Sequence, residues 1–459
     1  MVSMNIRQIM SSCTLLYITL LSVLPAAAQV HELPLLLQKA AQEYPALKAA
    51  RLQQQITAQE VHVAKNKFNP SLQASYQLNY STYNNITGMV YPASIIPISG
   101  PPSAGNTMSG VFGSATSLLL NWQAITFGQK AAETALAQTA AGVSSAETDY
   151  AVLQHSVKTA NQYLDLIQLL AQQEVQRENI RRMQILFTQT QSLVAAGLRP
   201  GVDTALVRAD LVKAGLDLSL SQQQSQSGLI ALRQLVNDST LQMPRDTSFF
   251  YNTPAISINY TDSLQHPLLS FFDASIARDK ASRNLLSKST APSLGVWGTT
   301  YARGSGIAYN GSVHSTDGLG FQRYNYGLGL QVSLPLLQGI TIRPRLQQHD
   351  LQIKADEEKR KETVSQLSSQ LQQAETLLQY TQTALKQNQQ VVKSAQFAYE
   401  TLAGRYEAGL ANYADLAQAS FQWVKAATEI RSNTIAIWKT LLYKAAVTGN
   451  LSLFTNALN

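Results

Sequence analysis

Pro45 and Pro70 recur 222 residues later as Pro267 and Pro292, each inside matching text. Tyr44-Pro45-Ala46-Leu47 corresponds to His266-Pro267-Leu268-Leu269, and Asn69-Pro70-Ser71-Leu72 to Ala291-Pro292-Ser293-Leu294. Further along, Ala196-Gly197-Leu198, Asp203 and Val212-Lys213-Ala214 return 212 residues later as Ala408-Gly409-Leu410, Asp415 and Val424-Lys425-Ala426. An ordered series of this kind indicates an internal duplication. Its period of about 200 residues makes two copies of one architecture, not a short-period solenoid. The copies are expected at 29–240 and 263–459, with a linker at 241–262.

Each copy reads helix, strand, loop, strand, very long helix, sharp turn, helix. From Leu72 to Tyr80 the even positions are Leu, Ala, Tyr, Leu and Tyr, and the odd ones are Gln, Ser, Gln and Asn. That period-2 pattern extends over the nine to eleven residues or so of a transmembrane β-strand. Tyr324, Tyr326, Leu328, Leu330, Val332 and Leu334 repeat it in the second copy. Strands are expected at about 70–81, 111–124, 292–303 and 323–336; the stretch from Leu294 to Arg303 alternates least clearly. Two soluble hairpins would show the same alternation, so both readings stay open at the level of the strands.

The long helices are expected at 129–196 and 341–407. Ala146, Tyr150, Leu153, Val157, Ala160, Leu164, Ile167 and Ala171 step by fours and threes, as do Val364, Leu367, Leu371, Ala374, Leu378, Thr381 and Leu385. This is a coiled-coil seam. At 1.5 Å per residue each such helix runs on the order of 100 Å. The return helices, 202–237 and 412–447, cover about half of that. A rod is expected, in which one long helix faces two shorter ones stacked end to end.

Composition removes several alternatives. Charged residues are only 14%, against roughly 25% in an average soluble domain, and Gln supplies about a tenth of the chain. Mean hydropathy is −0.09, too low for a helical membrane protein. The net charge of +7 is spread along the chain, with no Lys/Arg block of the kind that binds nucleic acid. The single cysteine, Cys13, lies in an N-terminal segment with an apolar run from Leu15 to Leu24 and an A-x-A end at Ala26-Ala27-Ala28. Residues 1–28 read as a cleaved secretory signal, which leaves a mature chain without disulfides.

Four strands cannot close a membrane barrel, since the smallest have about eight. Open edges cannot sit in lipid, because their backbone groups would go unsatisfied. Strands that span a membrane would therefore require oligomerisation: eight strands from a dimer, or twelve from a trimer. A through-channel favours the larger number.

At this point the sequence resembles the TolC family of outer-membrane efflux proteins. The features that carry the resemblance are the duplicated repeat, the Asn69-Pro70-Ser71-Leu72 and Ala291-Pro292-Ser293-Leu294 starts, and the strand text Tyr326-Gly327-Leu328-Gly329-Leu330. The Leu334-Pro335-Leu336-Leu337-Gln338-Gly339 exit and the Tyr406-Glu407-Ala408-Gly409 turn add to them. The resemblance covers essentially all of 29–459. It implies a mainly α fold with a small membrane β part. A homotrimer would form a twelve-stranded β-barrel, four strands per subunit, continued by a long α-helical coiled-coil tunnel. It also implies a passive exit channel in the outer membrane of a Gram-negative bacterium, in contact with outer-membrane lipid and extending into the periplasm. The partners would be a periplasmic adaptor and an inner-membrane pump, for drug or metal efflux or for protein secretion.

The resemblance also assigns roles at the turns after the long helices. By motif position Asp415 corresponds to a constriction acid and Gln418 stands where a second acid is expected. Tyr406 corresponds to a latch tyrosine and Asp203 to its acidic partner. Ala411 replaces a latch arginine, for which Arg199 or Arg405 are the candidate substitutes. Gly197 and Gly409 are the turn glycines, in keeping with the preference for glycine where a helix reverses. Asp203 and Asp415 also suit simple helix starts, where free N–H groups favour aspartate, and Tyr406 suits seam packing.

Nothing points to catalysis or to a cofactor. The six histidines are scattered without metal-ligand spacing, and Gly304-Ser305-Gly306 lacks the strand–turn–helix setting of a nucleophile elbow. A periplasmic adaptor or a structural coiled-coil protein remains as the alternative class. An adaptor would carry one helical hairpin, and a filament would not need the amphipathic strands.

Overall fold

The computed structural model describes residues 32–85, 100–244, 247–254 and 265–458. The expected leader, 1–28, lies outside them, as does part of the 241–262 linker. In chain order the elements are α1 (Glu32–Glu43), α2 (Pro45–Asn66), β1 (Ser71–Thr82), β2 (Gly110–Ile125), α3 (Gln129–Ala195) and α4 (Gly201–Val236). A 3-10 turn (Ser248–Tyr251) precedes α5 (Pro267–Lys288), β3 (Ser293–Ser305), β4 (Arg323–Ser333), the one-turn α6 (Gln338–Thr341), α7 (Arg343–Glu407), α8 (Tyr413–Thr448) and the one-turn α9 (Ser452–Thr455). β4 stops two residues before Pro335, which cannot donate to a ladder.

The described residues form two compact units: one drawn from within 32–51, 147–270 and 362–458, the other from within 52–146 and 271–361.

In the first unit, Ala160, Tyr163, Leu164, Leu166, Ile167 and Ala171 of α3 are buried on several faces. They pack with Leu33 and Leu37 of α1, Leu229, Leu232 and Val236 of α4, and Ile435, Trp438, Leu441 and Leu442 of α8. Phe250, Phe454 and Leu458 close this core. α1 and the C-terminal turns are core elements that the reading of the sequence did not include, because their apolar runs are too short to show a period.

Two histidines in this unit are buried in the neutral form. Nε2–H of His155 donates to the Leu235 carbonyl at 2.9 Å, and its ring stacks on Tyr44 at 3.9 Å. Nδ1 of His266 accepts the Leu268 N–H at 3.1 Å, capping α5. Burial holds both imidazoles below the ordinary histidine value. With folded pKa values depressed, their contribution is complete above about pH 6.5 and is lost as pH falls below it, because only the unfolded chain takes up the protons readily. Two such groups give a slope of at most about 2.7 kcal/mol per pH unit. The melting temperature is expected to fall between pH 7 and pH 5, and the combined His155→Phe/His266→Asn variant should flatten that fall; an unchanged profile would rule the histidines out as its source.

The second unit contains a four-stranded antiparallel sheet in the order β1-β2-β3-β4. Directly opposed residues share a face, so the register sorts the sheet. Tyr76 opposes Thr116, Thr116 opposes Ala302, and Ala302 opposes Tyr324; two rows along on the same face, Leu120, Gly298 and Leu328 continue from Leu72. This apolar face is open over much of its extent: Tyr326 is 92% exposed and Leu328 78%. The opposite face carries Gln73, Ser75, Gln77 and Asn79 of β1, with Trp297 of β3 lying over Gly327 and Gly329. A Cβ at Gly329 would stand 2.5 Å from the Trp297 ring, which explains the Gly-Leu-Gly text of β4. In β3 the glycines fall on both faces, at Gly295, Gly298 and Gly304, so period-2 hydropathy is blurred there, whereas β4 keeps it. β1 and β4 each have one unpaired edge.

In the same unit, α5 and the first part of α7 run antiparallel and are aligned by Asp273–Arg360 (2.6 Å), Lys280–Glu357 (3.3 Å) and Arg283–Asp350 (2.7 Å). Such exposed pairs contribute little individually, about 0–1 kcal/mol; their consistent spacing fixes alignment. No helix among the described residues is long and apolar enough to cross a membrane.

Candidate functional site

The two sharp turns close in the same way. After α3, Gly197 adopts φ +72°, its N–H bonds to the Val194 carbonyl, and the Leu198 N–H reaches back to Leu193. After α7, Gly409 adopts φ +83°, with bonds from its N–H to Tyr406 and from the Leu410 N–H to Arg405. Both are Schellman closures, which require a left-handed residue that glycine adopts without strain. They differ at the next helix. Pro200 leads into α4 without a side-chain cap, whereas Asn412 caps α8 by accepting the Asp415 N–H at 2.9 Å.

Tyr406 and Asp203 meet. The phenol is wholly buried and donates to Asp203 Oδ2 at 3.0 Å, and Asp203 is itself only 8% exposed. A second link lies beside the first: buried Tyr413 donates to Asp210 Oδ2 at 2.6 Å. The repetition has a simple cause. Asp210 lies two turns beyond Asp203 on one side of α4, and Tyr406 near the end of α7 and Tyr413 at the start of α8 reach that side from either side of the Gly409 turn. Burial, reinforced by the facing carboxylates, raises both phenol pKa values above the ordinary tyrosine value. Both hydroxyls therefore remain donors through neutral pH. A tyrosine hydrogen bond to a charged acceptor contributes about 1.5–3 kcal/mol.

Arg199 joins the first link. Its guanidinium lies 4.2 Å from the Tyr406 ring centroid and donates to the Tyr406 carbonyl. Arg405 is exposed and Ala411 half-buried. Met183, Leu186, Val207 and Leu416 pack around the tyrosines. A further arginine, Arg182, sits 3.6 Å over Trp423, whose ring lies 5.0 Å from Tyr399. Cation–π contact of this kind adds about 0.5–2 kcal/mol. No pattern in the sequence singled it out.

Asp415 and Gln418 lie apart from these links. Both are exposed and, at i and i+3, share one side of α8, free to face solvent or another copy. Among the described residues no group of three or more His, Cys, Asp or Glu side chains is placed to hold a metal.

The sequence matches the outer membrane efflux protein family over residues 36–238 and 265–434. No curated protein matches it. Among solved structures, the fold is similar to VceC from Vibrio cholerae (TM-score 0.70, 17% identity, covering 91% of this chain and 96% of that one). It is also similar to the CmeC outer membrane channel of Campylobacter jejuni (0.69, 14% identity, 91% and 85%) and to CusC (0.73, 12% identity, 92% and 93%). With the family matched along most of its length and the fold shared with outer-membrane channels, the chain belongs to the outer membrane efflux protein family and is an outer-membrane efflux channel protein.

Proposed function

We propose that three copies of this chain close one twelve-stranded barrel and continue it as a helical tunnel. It would give passive exit to substrates delivered by an inner-membrane pump through a periplasmic adaptor. The observation that carries the reading is the sheet itself, with four strands, one broad exposed apolar face and a free edge on each side. Free edges in lipid cost several kcal/mol per unsatisfied group, and pairing β1 of one copy with β4 of the next removes them. Twelve is an even strand number within the known range of such barrels. Exposed apolar residues along α4 and α7, among them Val212, Leu216, Leu220, Leu351 and Phe397, support burial against further copies. With Cys13 in the leader, introduced cysteines report cleanly. Pairs combining Ser75, Gln77 or Asn79 in β1 with Asn325 or Gly327 in β4 are expected to yield covalent trimers under oxidation. Monomers at every register would contradict the closure.

Tyr406, Asp203 and Arg199 act in this reading as the latch at the periplasmic turn, with Gly197 and Gly409 shaping the two turns. Asp415 supplies the constriction acid, one carboxylate per subunit, next to neutral Gln418. Three carboxylates around a narrow opening contribute on the order of 1 kcal/mol to a cation at its centre. Asp415→Ala is therefore expected to lower the cation-over-anion permeability ratio by about fivefold and to relieve divalent block, read from reversal potentials in planar bilayers. Unchanged selectivity would remove Asp415 from the gate.

A further inference from the structure

The four strands contain two charged residues, Arg303 and Arg323, and no acid. The register sets these two directly opposite each other across β3 and β4. The same transverse row runs Gln77, Ala115, Arg303, Arg323 across the whole sheet, so both arginines lie on the polar face. Like charges directly opposed in a sheet are unfavourable unless something of opposite sign stands between them. Neither arginine has a carboxylate partner among the described residues. Between them and β1 the row holds only Ala115, and the next row holds Gly113, so space is left rather than filled. A cavity of about 530 Å³ occupies it, lined on the polar side by Gln77, Asn79, Tyr301, Arg303, Arg323 and Asn325. Two guanidinium forks with amide and phenol groups around an open space form a donor-rich surface that suits a planar or tetrahedral oxyanion.

We propose that Arg303 and Arg323 form an anion-binding site on the polar face, at the end of the sheet away from the helices, which takes phosphate- or carboxylate-bearing groups. The proposal rests on the barrel reading above, in which the polar face lines the lumen. Three subunits would then place six guanidinium groups around the outer mouth, opposite in sign to the acids proposed at the periplasmic turn. An anionic solute would be drawn toward the exit, and the outer part of the pore would favour anions.

Inorganic phosphate is the probe. Purified protein in planar bilayers of neutral phosphatidylcholine is expected to show a phosphate-dependent drop in single-channel current at millimolar concentrations. Arg303→Gln/Arg323→Gln should weaken that response at least tenfold, and Arg303→Lys/Arg323→Lys, which keeps charge without the fork, should recover part of it. Isothermal titration of phosphate into the detergent-solubilised protein gives a readout independent of conduction. Block in neutral lipid identifies a free solute as the occupant; an effect seen only when lipopolysaccharide is added identifies a lipid headgroup. Conducting channels in which wild type and the double glutamine variant respond alike to both additions would overturn the site while leaving the barrel intact. Protein that neither conducts nor binds phosphate would count against barrel and site together.

Discussion

The combined substitution Tyr406→Phe/Tyr413→Phe is expected to raise single-channel conductance severalfold, whereas either substitution alone should raise it less. Each hydroxyl donates to a carboxylate on α4, at 3.0 Å to Asp203 and 2.6 Å to Asp210. Each such bond contributes about 1.5–3 kcal/mol. In the proposed trimer, with the links acting as the proposed latch, two per subunit would amount to on the order of 10 kcal/mol favouring the closed turn region, enough to invert a strongly one-sided equilibrium when all are removed. Single substitutions leave the neighbouring link in place, and the Arg199 contact to the Tyr406 carbonyl survives either one. The pH dependence has a definite sign. Because the folded phenols titrate above the ordinary tyrosine value, the links are complete below about pH 10 and are lost as pH rises through the folded values. Conductance that stays at the wild-type level in the double variant would mean that the links join helices without gating the pore.

Trp438→Ala is expected to be the most destabilising single change. The indole is 1% exposed and packs against Phe249 and Phe250, with ring centroids at 5.2 and 5.3 Å, and Phe454 at 6.3 Å. Its Nε1–H donates to the Asn252 carbonyl at 3.0 Å. Truncation opens a cavity beneath three aromatic rings and leaves that carbonyl without its donor, at a cost of about 3–5 kcal/mol. For a chain of this size that lowers the melting temperature by about 3–6 °C, read by circular dichroism at 222 nm in detergent. Trp438→Phe retains most of the apolar contact and should fall by less than half as much. A melting temperature within 2 °C of wild type for Trp438→Ala would show that the aromatic cluster does not hold this core.

The fold class was legible in the sequence because its two signals are periodic and long. Ala146 to Ala171 steps along a buried seam, and Leu72 to Tyr80 alternates without exception. Where the physics is not periodic, the text was silent. β3 has a single glycine, Gly298, where its neighbours place Leu120 and Leu328, so its own alternation is weak although the register makes its face plain. The core around Trp438 is assembled from short pieces distant in sequence, α1, Phe250 and Phe454, none of which announces itself alone. At the turns, the motif brought Tyr406 and Asp203 to attention, and they are in contact. The Tyr413–Asp210 link and the Arg199 stacking depend on which helix faces are brought together, which a linear spacing does not specify. Asp415 and Gln418 are both exposed on α8, and the proposed role for them is one that arises only between copies.

That dependence on assembly makes subunit number the quantity to measure first. Native mass spectrometry of the mature protein released from detergent micelles is predicted to give one dominant species of three subunits, converted by heating to monomers. A monomer that stays in aqueous solution without detergent would contradict the channel outright.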